Sequence, residues 1–331
     1  MRIVLDNASK GTTAGPGMLE GIVSRQHFLP AALVGRFSTA ASYPIRDRPV
    51  WVTRRGSARA YVQKAENLAA LDDFYTVEVS PFVGDDPGSR PLAIDEMWTH
   101  VEQSLTDIID AADAAVTTGL MQAGRWATFI EFLAQILART PDFDRRFVER
   151  FGGPGVAPEL VADRDNINAV RLIEIQRLRA AFLYGSWYFI RFPVGSLVQN
   201  DRGYAGTADR DTGTTGLCFP LRHDLAVTVL TSVEPNQLIT VDDAYYVPVG
   251  SNVFDAAAAE SLGPLVAEWA DSEIYGPSEP IVRAASLGFQ REPPPVGPED
   301  AFGHSSKWLR EHENDYFTLL AQISTTPSPS T

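Results

Sequence analysis

His27, Glu102, Arg139 and Asp201 are the side chains whose sequence surroundings suit chemistry. His27 lies in Arg25-Gln26-His27-Phe28-Leu29-Pro30, near the start of a short helix predicted to continue to Phe37. An imidazole there suits a general base or a ligand, because its charge changes near neutral pH. Capping or packing at the helix start suits it equally. Glu102 follows Val101 on an apolar helical stripe, so its carboxylate points partly inward; Glu96, six residues earlier, does not share that face. The competing reading for both is a solvated helix carboxylate. Arg139 closes a nearly all-apolar helix, where it either holds an anionic group or meets the last carbonyls of its own helix. Asp201 follows a buried strand and precedes the Gly/Thr/Asp-rich stretch 203–216. A rigid element would aim it and a loop would admit substrate, or Asn200 and Asp201 simply make an Asx turn. His223 reads as an exposed turn residue, and His304 and His312 as ordinary members of a polar C-terminal segment.

No GxSxG, HExxH, phosphate-binding loop or helix-opening GxGxxG occurs. Gly153-Pro154-Gly155 lacks the Lys and Ser/Thr that a phosphate loop needs. The single cysteine, Cys218, sits in the apolar run Leu217-Cys218-Phe219-Pro220 and reads as a small buried hydrophobe. One cysteine excludes an intrachain disulfide framework and fits a reducing, cytoplasmic setting.

The elements that would position these residues follow from apolar spacing. Trp98, Val101, Leu105, Ile108, Ile109 and Ala112 make one stripe and predict a helix from Ile94 to about Thr118. Gly124–Arg139, with Trp126, Phe129, Ile130, Leu133, Ile136 and Leu137, predicts a central helix. Thr140-Pro141-Asp142 restarts the chain as a new helix, and a third long helix is predicted from about Pro158 to Ala181. Short strands are predicted at 50–52, 60–62 and 74–79, the last stopped by Pro81 and the turn-rich stretch 84–91. Further strands are expected at 183–190, 196–199, 217–220, 226–230 and 273–275, with a helix at 254–270. Residues 1–5 read as a short strand or arm, 10–17 as a loop, and the chain after Ser324 as disordered. The order argues for an α+β fold, with a helical layer (about 94–181) on a small, mostly antiparallel sheet (about 183–241). One globular domain is expected over 1–289. A Pro-rich segment, a short polar helix and a tail are expected over 290–331.

The balance is acidic, with 42 Asp and Glu against 28 Lys and Arg, a net charge of −14. Such a surface repels a phosphate backbone at long range and argues against a protein that coats nucleic acid. Lys appears only at 10, 64 and 307, a bias that looks like coding preference. The N-terminal apolar run, Ile3-Val4-Leu5, is too short for a secretory signal, and no apolar segment reaches membrane-spanning length.

The ordered pieces together resemble the bacterial family catalogued as domain of unknown function 4238, over roughly residues 24–276. His27-Phe28-Leu29-Pro30 running to Arg36-Phe37 is similar to the family's opening, and Lys64 and Asp73-Phe74-Tyr75 to its next marks. A glutamate-bearing helix matches Glu96 to Glu102, and Arg139-Thr140-Pro141 the family's helix-ending step. Asn200-Asp201-Arg202-Gly203 stands where the family has a strand ending in Ser-Asp with a nearby Pro. Phe219-Pro220-Leu221 and Asn252 through Ala270 to Ile274-Tyr275 match its closing pattern. Two departures, Asn200 for Ser and Gly203 for Pro, bear on the turn that aims Asp201.

The resemblance implies a shortlist of His27, Lys64, Glu102, Arg139 and Asp201, and no reaction. In the enzyme reading, His27, Glu102 and Asp201 are catalytic, Lys64 and Arg139 bind substrate, and a divalent metal is a candidate cofactor. The reaction would be metal-dependent hydrolysis of a phosphodiester or nucleotide-like substrate. In the alternative, a binding or sensing module, the same residues form a buried structural network. Partners, including a second copy of the chain, are left open.

Overall fold

Among the described residues short strands come first and a helical layer follows them. A computed structural model describes residues 25–57, 59–72, 74–75, 93–151, 164–209, 211–291 and 306–324. The expected arm at 1–5, the loop at 10–17, most of the strand at 74–79, the stretch 84–91, Gly153-Pro154-Gly155, His304 and the tail after Ser324 lie outside those residues. The first described elements are β1 (Arg25–His27), α1 (Ala31–Val34), β2 (Pro49–Arg54), β3 (Ala60–Lys64) and β4 (Ala70–Asp72). Next come α2 (Ala93–Gln103), α3 (Leu105–Thr118), β5 (Leu120–Gln122), α4 (Ala123–Arg139), α5 (Pro141–Phe151) and α6 (Arg164–Leu183). The second half holds β6 (Ser186–Arg191), β7 (Gln199–Asn200), β8 (Ala205–Ala208), β9 (Thr215–Arg222), β10 (Leu225–Leu230), β11 (Ile239–Val241), β12 (Ala244–Pro248) and β13 (Gly250–Val253). It closes with α7 (Ala256–Glu268), β14 (Glu273–Gly276), α8 (Glu279–Ala285), α9 (Ser306–His312) and α10 (Asp315–Ser324).

The fold is α+β. α4 is its axis. Trp126, Phe129, Ile130, Leu133, Ile136 and Leu137 are all buried, as a helix apolar over much of its surface requires. Each such side chain contributes about 1.5–3 kcal/mol on burial. The helix predicted over 94–118 is two helices, because the chain breaks at Ser104. The Ser104 amide bonds the Val101 carbonyl three residues back, and α3 restarts from the Ser104 carbonyl. The apolar stripe crosses the break unchanged, since Trp98, Val101, Leu105 and Ile108 are all buried. α3 stops at Gly119, whose φ of +65° closes the helix in the left-handed conformation. α6 runs through Phe182-Leu183, so the aromatic strand expected from 183 starts at Ser186 instead.

The main sheet has the order β13-β6-β10-β9-β8, and of its pairs only β13 with β6 is parallel. A second sheet, β3-β2-β14-β7, joins distant parts of the chain, with Val52 opposite Tyr275 and Asn200 opposite Ile274. Smaller sheets pair β11-β12-β5 and β1-β4. Strands therefore lie well outside 183–241. α9 and α10 bury Leu309, Tyr316 and Leu319, and the Tyr316 hydroxyl donates to the Ala127 carbonyl of α4 at 3.0 Å.

β7 ends in a tight corner. The Asn200 carboxamide accepts from the Arg202 and Gly203 amides and donates to the Tyr204 and Val266 carbonyls. A serine could fill only part of that set. Gly203 has φ +83°, which proline cannot adopt. A Cβ on Gly203 would stand 2.6 Å from Ile136 Cγ2 and 2.8 Å from Leu29 Cδ2. Gly203→Ala is expected to lower stability by roughly 2–4 kcal/mol from backbone strain plus overpacking. Urea unfolding checks this, and a loss below about 1 kcal/mol would show that the contact between Leu29 and α4 yields easily.

Candidate functional site

Asp95, Trp98 and Glu102 lie at i, i+3 and i+7 on α2 and so share one face. The end of α4 meets that face. Arg139 is 3% exposed in its side chain, and its Nη1 lies 2.7 Å from Glu102 Oε1. Its Nη2 donates to the His27 carbonyl at 2.7 Å. The guanidinium sits 5.2 Å from the Trp98 ring centre and 5.9 Å from that of Tyr75, within cation–π range. Arg139 thus ties α4 to α2 and β1. The last carbonyl of α4, that of Arg139 itself, is taken instead by the Tyr75 hydroxyl. Burial works against the Arg139 charge, but Glu102 and Tyr75 hold its pKa above the ordinary value. Glu102 remains 31% exposed, so part of its carboxylate reaches solvent.

His27 ends β1 with its ring half-buried. Its Nε2 lies 3.0 Å from the Glu66 carbonyl. A carbonyl can only accept, so the ring proton sits on Nε2 and the Nδ1 lone pair faces outward from that bond. Burial pushes the His27 pKa below 6.5; Arg46 and Arg139 act in the same sense, while the Glu66 carbonyl and Glu102 oppose it. Lys64, at the end of β3, is exposed and paired with Asp47 at 3.2 Å and Glu66 at 3.3 Å. It reaches the His27 neighbourhood only through Glu66.

Asp201 belongs to a different cluster. Its Oδ1 accepts from the Asp271 amide at 2.8 Å, and its Oδ2 from the Ser272 amide at 2.7 Å, the Ser272 hydroxyl at 2.6 Å and the Glu273 amide at 3.0 Å. These bonds fasten the corner after β7 to the chain entering β14. Burial and the neighbouring Asp271 push the Asp201 pKa up to about 6, against the pull of the Ser272 and Asp271 donors. Beside it, Arg202 Nη2 lies 2.8 Å from Asp271 and 3.2 Å from Asp142, and the Tyr204 hydroxyl donates to Asp142 at 3.0 Å. Sequence reasoning passed over Arg202, Tyr204 and Asp271, which carry no local signal. Asp142 was legible only as a charge at the start of α5.

The structure therefore brings His27, Glu102 and Arg139 together. Among the described residues no hydrogen bond or ion pair joins them to Asp201. His223 is half-buried rather than an exposed turn residue, because its Nδ1 accepts from the Gly195 amide at 3.2 Å and pins the crossing from β6. Cys218 is buried, and desolvation raises its thiol to about 11. Among the described residues no group of three or more His, Cys, Asp or Glu side chains is arranged to hold a metal ion, and no helix is long and apolar enough to cross a membrane. No family model matches the chain, no curated protein is similar to it in sequence, and no solved structure matches it.

Asp201→Ala would strand buried amides of residues 271–273 and is expected to cost about 3–5 kcal/mol; chemical denaturation measures it. His27 is expected to titrate below 6.5 by NMR. Because its folded-state pKa is depressed, its contribution to stability is present above pH 6.5 and is lost as the pH falls through the lowered value. His27→Gln removes that part of the pH dependence.

Proposed function

We propose that the protein is a binding or sensing module in which Glu102 and Arg139 belong to one structural network and Asp201 to a second. The observation that carries this reading is saturation. The Asp201 carboxylate is filled by donors from residues 271–273, and both terminal nitrogens of Arg139 are engaged. Groups so occupied cannot exchange protons or hold substrate without first breaking contacts between elements. The reading includes the resemblance to the domain of unknown function 4238 family, supported by the ordered residue pattern, and a cytoplasmic setting, supported by the lone buried cysteine. Arg139→Lys is the test. A lysine keeps the charge but cannot reach Glu102 and the His27 carbonyl together. The expected result is a melting temperature lower by several degrees. An unchanged melting temperature would count against the network, since functional-site residues are often neutral to stability when replaced.

A second reading, hydrolysis of a phosphodiester or nucleotide-like substrate, is favoured by one observation: the Nδ1 of a neutral His27, left without a hydrogen-bond partner among the described residues, in the neighbourhood of the partly exposed Glu102. His27 would accept a proton from the attacking water and Glu102 would orient that water. Two side chains fall short of a three-ligand metal site, so the chemistry rests on His27. In this reading Asp201 takes no part. A phosphodiester reporter assay with and without Mg²⁺ or Mn²⁺ separates the two readings. Turnover that falls about 10²–10⁴-fold in His27→Gln establishes the hydrolase, and absence of turnover in the wild type leaves the binding module.

A further inference from the structure

A groove of about 500 Å³ lies between the end of α6, the loop 235–238 and the start of α10, away from the residues considered above. That volume suits a small molecule or a single side chain of a larger one. Its polar lining comes from Tyr184, Asn236, Gln237, Asp315, Thr318 and Gln322, and the remaining lining residues are apolar. No lysine, arginine or histidine lines it.

The donors and acceptors of this lining are unevenly spent. Both Asn236 Nδ2 protons are committed, to the Leu183 carbonyl at 2.8 Å and the Gly185 carbonyl at 2.7 Å. The Tyr184 hydroxyl donates to Asp315 Oδ2 at 2.8 Å, and the Thr318 hydroxyl donates to the Asn314 carbonyl at 3.2 Å. What these groups still offer is lone pairs: Asn236 Oδ1, the Tyr184 and Thr318 hydroxyl oxygens, and Asp315 Oδ1. Among the described residues Asp315 has no ion-pair partner, and its one hydrogen bond comes from a neutral hydroxyl. Gln237 and Gln322 add amides that can both donate and accept, so the acceptor bias comes from Asn236, Tyr184, Thr318 and the unpaired carboxylate of Asp315, and that set is complementary to a cation carrying several N–H donors. The net charge of −14 adds a long-range field of the same sense.

We infer that this groove binds an organic cation of the primary amine or guanidinium class, with Asp315 as the charged anchor and Asn236, Tyr184 and Thr318 as acceptors. The site depends on neither reading of His27 and Asp201.

Titration calorimetry of the full chain with agmatine, at low ionic strength, tests it. Agmatine is expected to bind, Asp315→Asn to weaken it by about tenfold or more, and Thr318→Val to weaken it by a smaller factor. Glu260→Gln, which removes one exposed negative charge from α7, is expected to leave the affinity unchanged. Sodium acetate and inorganic phosphate are expected to give no binding. Three results would overturn the inference: no binding of agmatine, equal weakening by Glu260→Gln and Asp315→Asn, or comparable affinity for the anions. Thr318→Val changes no charge at an exposed position, so it supplies an answer even if Asp315→Asn is poorly folded.

Discussion

The Arg139 guanidinium is the contact through which the two halves of the helical layer and the first strand are held in one arrangement. It stands at the end of the most buried helix, where the chain must turn into α5, and it reaches Glu102 on α2 and the backbone of His27 on β1. An ion at 3% side-chain exposure is costly unless its protons are taken. Its two partners and the rings of Trp98 and Tyr75 offset part of that cost, while its Nε finds no hydrogen-bond partner among the described residues. The consequence is rigidity of position. α2 cannot slide along α4, nor β1 lift from the α4 terminus, without leaving a charge unpaired in the interior.

A second constraint lies just past the same helix end. Three residues after Arg139, Asp142 opens α5 and accepts from Arg146, Arg202 and Tyr204. Arg202 also reaches Asp271, next to the amides that Asp201 receives. The α4–α5 corner therefore faces two polar networks, one toward β1 and α2, the other toward the β7 corner and β14. The second network gives short β7 its place. Two residues paired with β14 are too few to hold a strand by ladder bonds alone, and the Asn200 and Asp201 side chains supply the missing fastening.

The parts of the fold legible in the sequence are those set by local pattern. α4 shows as a helix apolar over much of its surface, α5 as a Thr-Pro-Asp restart, and the helix-then-strand order as an α+β class. The break at Ser104 is hidden because the stripe that defines α2 also defines α3. The second sheet is hidden because its partners are far apart in sequence, as with Val52 and Tyr275. The site residues divide in the same way. Glu102 could be read as facing inward from its place beside Val101, and it does meet Arg139. Asp201 looks identical in sequence whether its acceptors await a substrate or are filled from within. The residues that fill them lie about seventy positions later, and no local signal marks them.

The scarcity of lysine, which reads in the sequence as coding bias, has a structural side. Among the described residues the buried cations are arginines: Arg36, Arg139, Arg171 and Arg202. Arg171 donates to Asn168 and pairs with Asp144 while lying 4.7 Å from the Phe74 ring centre and 5.2 Å from that of Tyr75. Arg55, at the edge of the second sheet, divides its two terminal nitrogens among five carbonyls at the end of α7 and beyond. Arg55, Arg139, Arg171 and Arg202 each ask one side chain to serve two or more acceptors in fixed directions, and at Arg139 and Arg171 also to lie near aromatic rings. A planar fork does this, and a single ammonium on a flexible stem does not. Lys64 and Lys307, by contrast, stand in exposed pairs where a point charge suffices. Whatever set the codon usage, the interior of this fold has become dependent on guanidinium geometry.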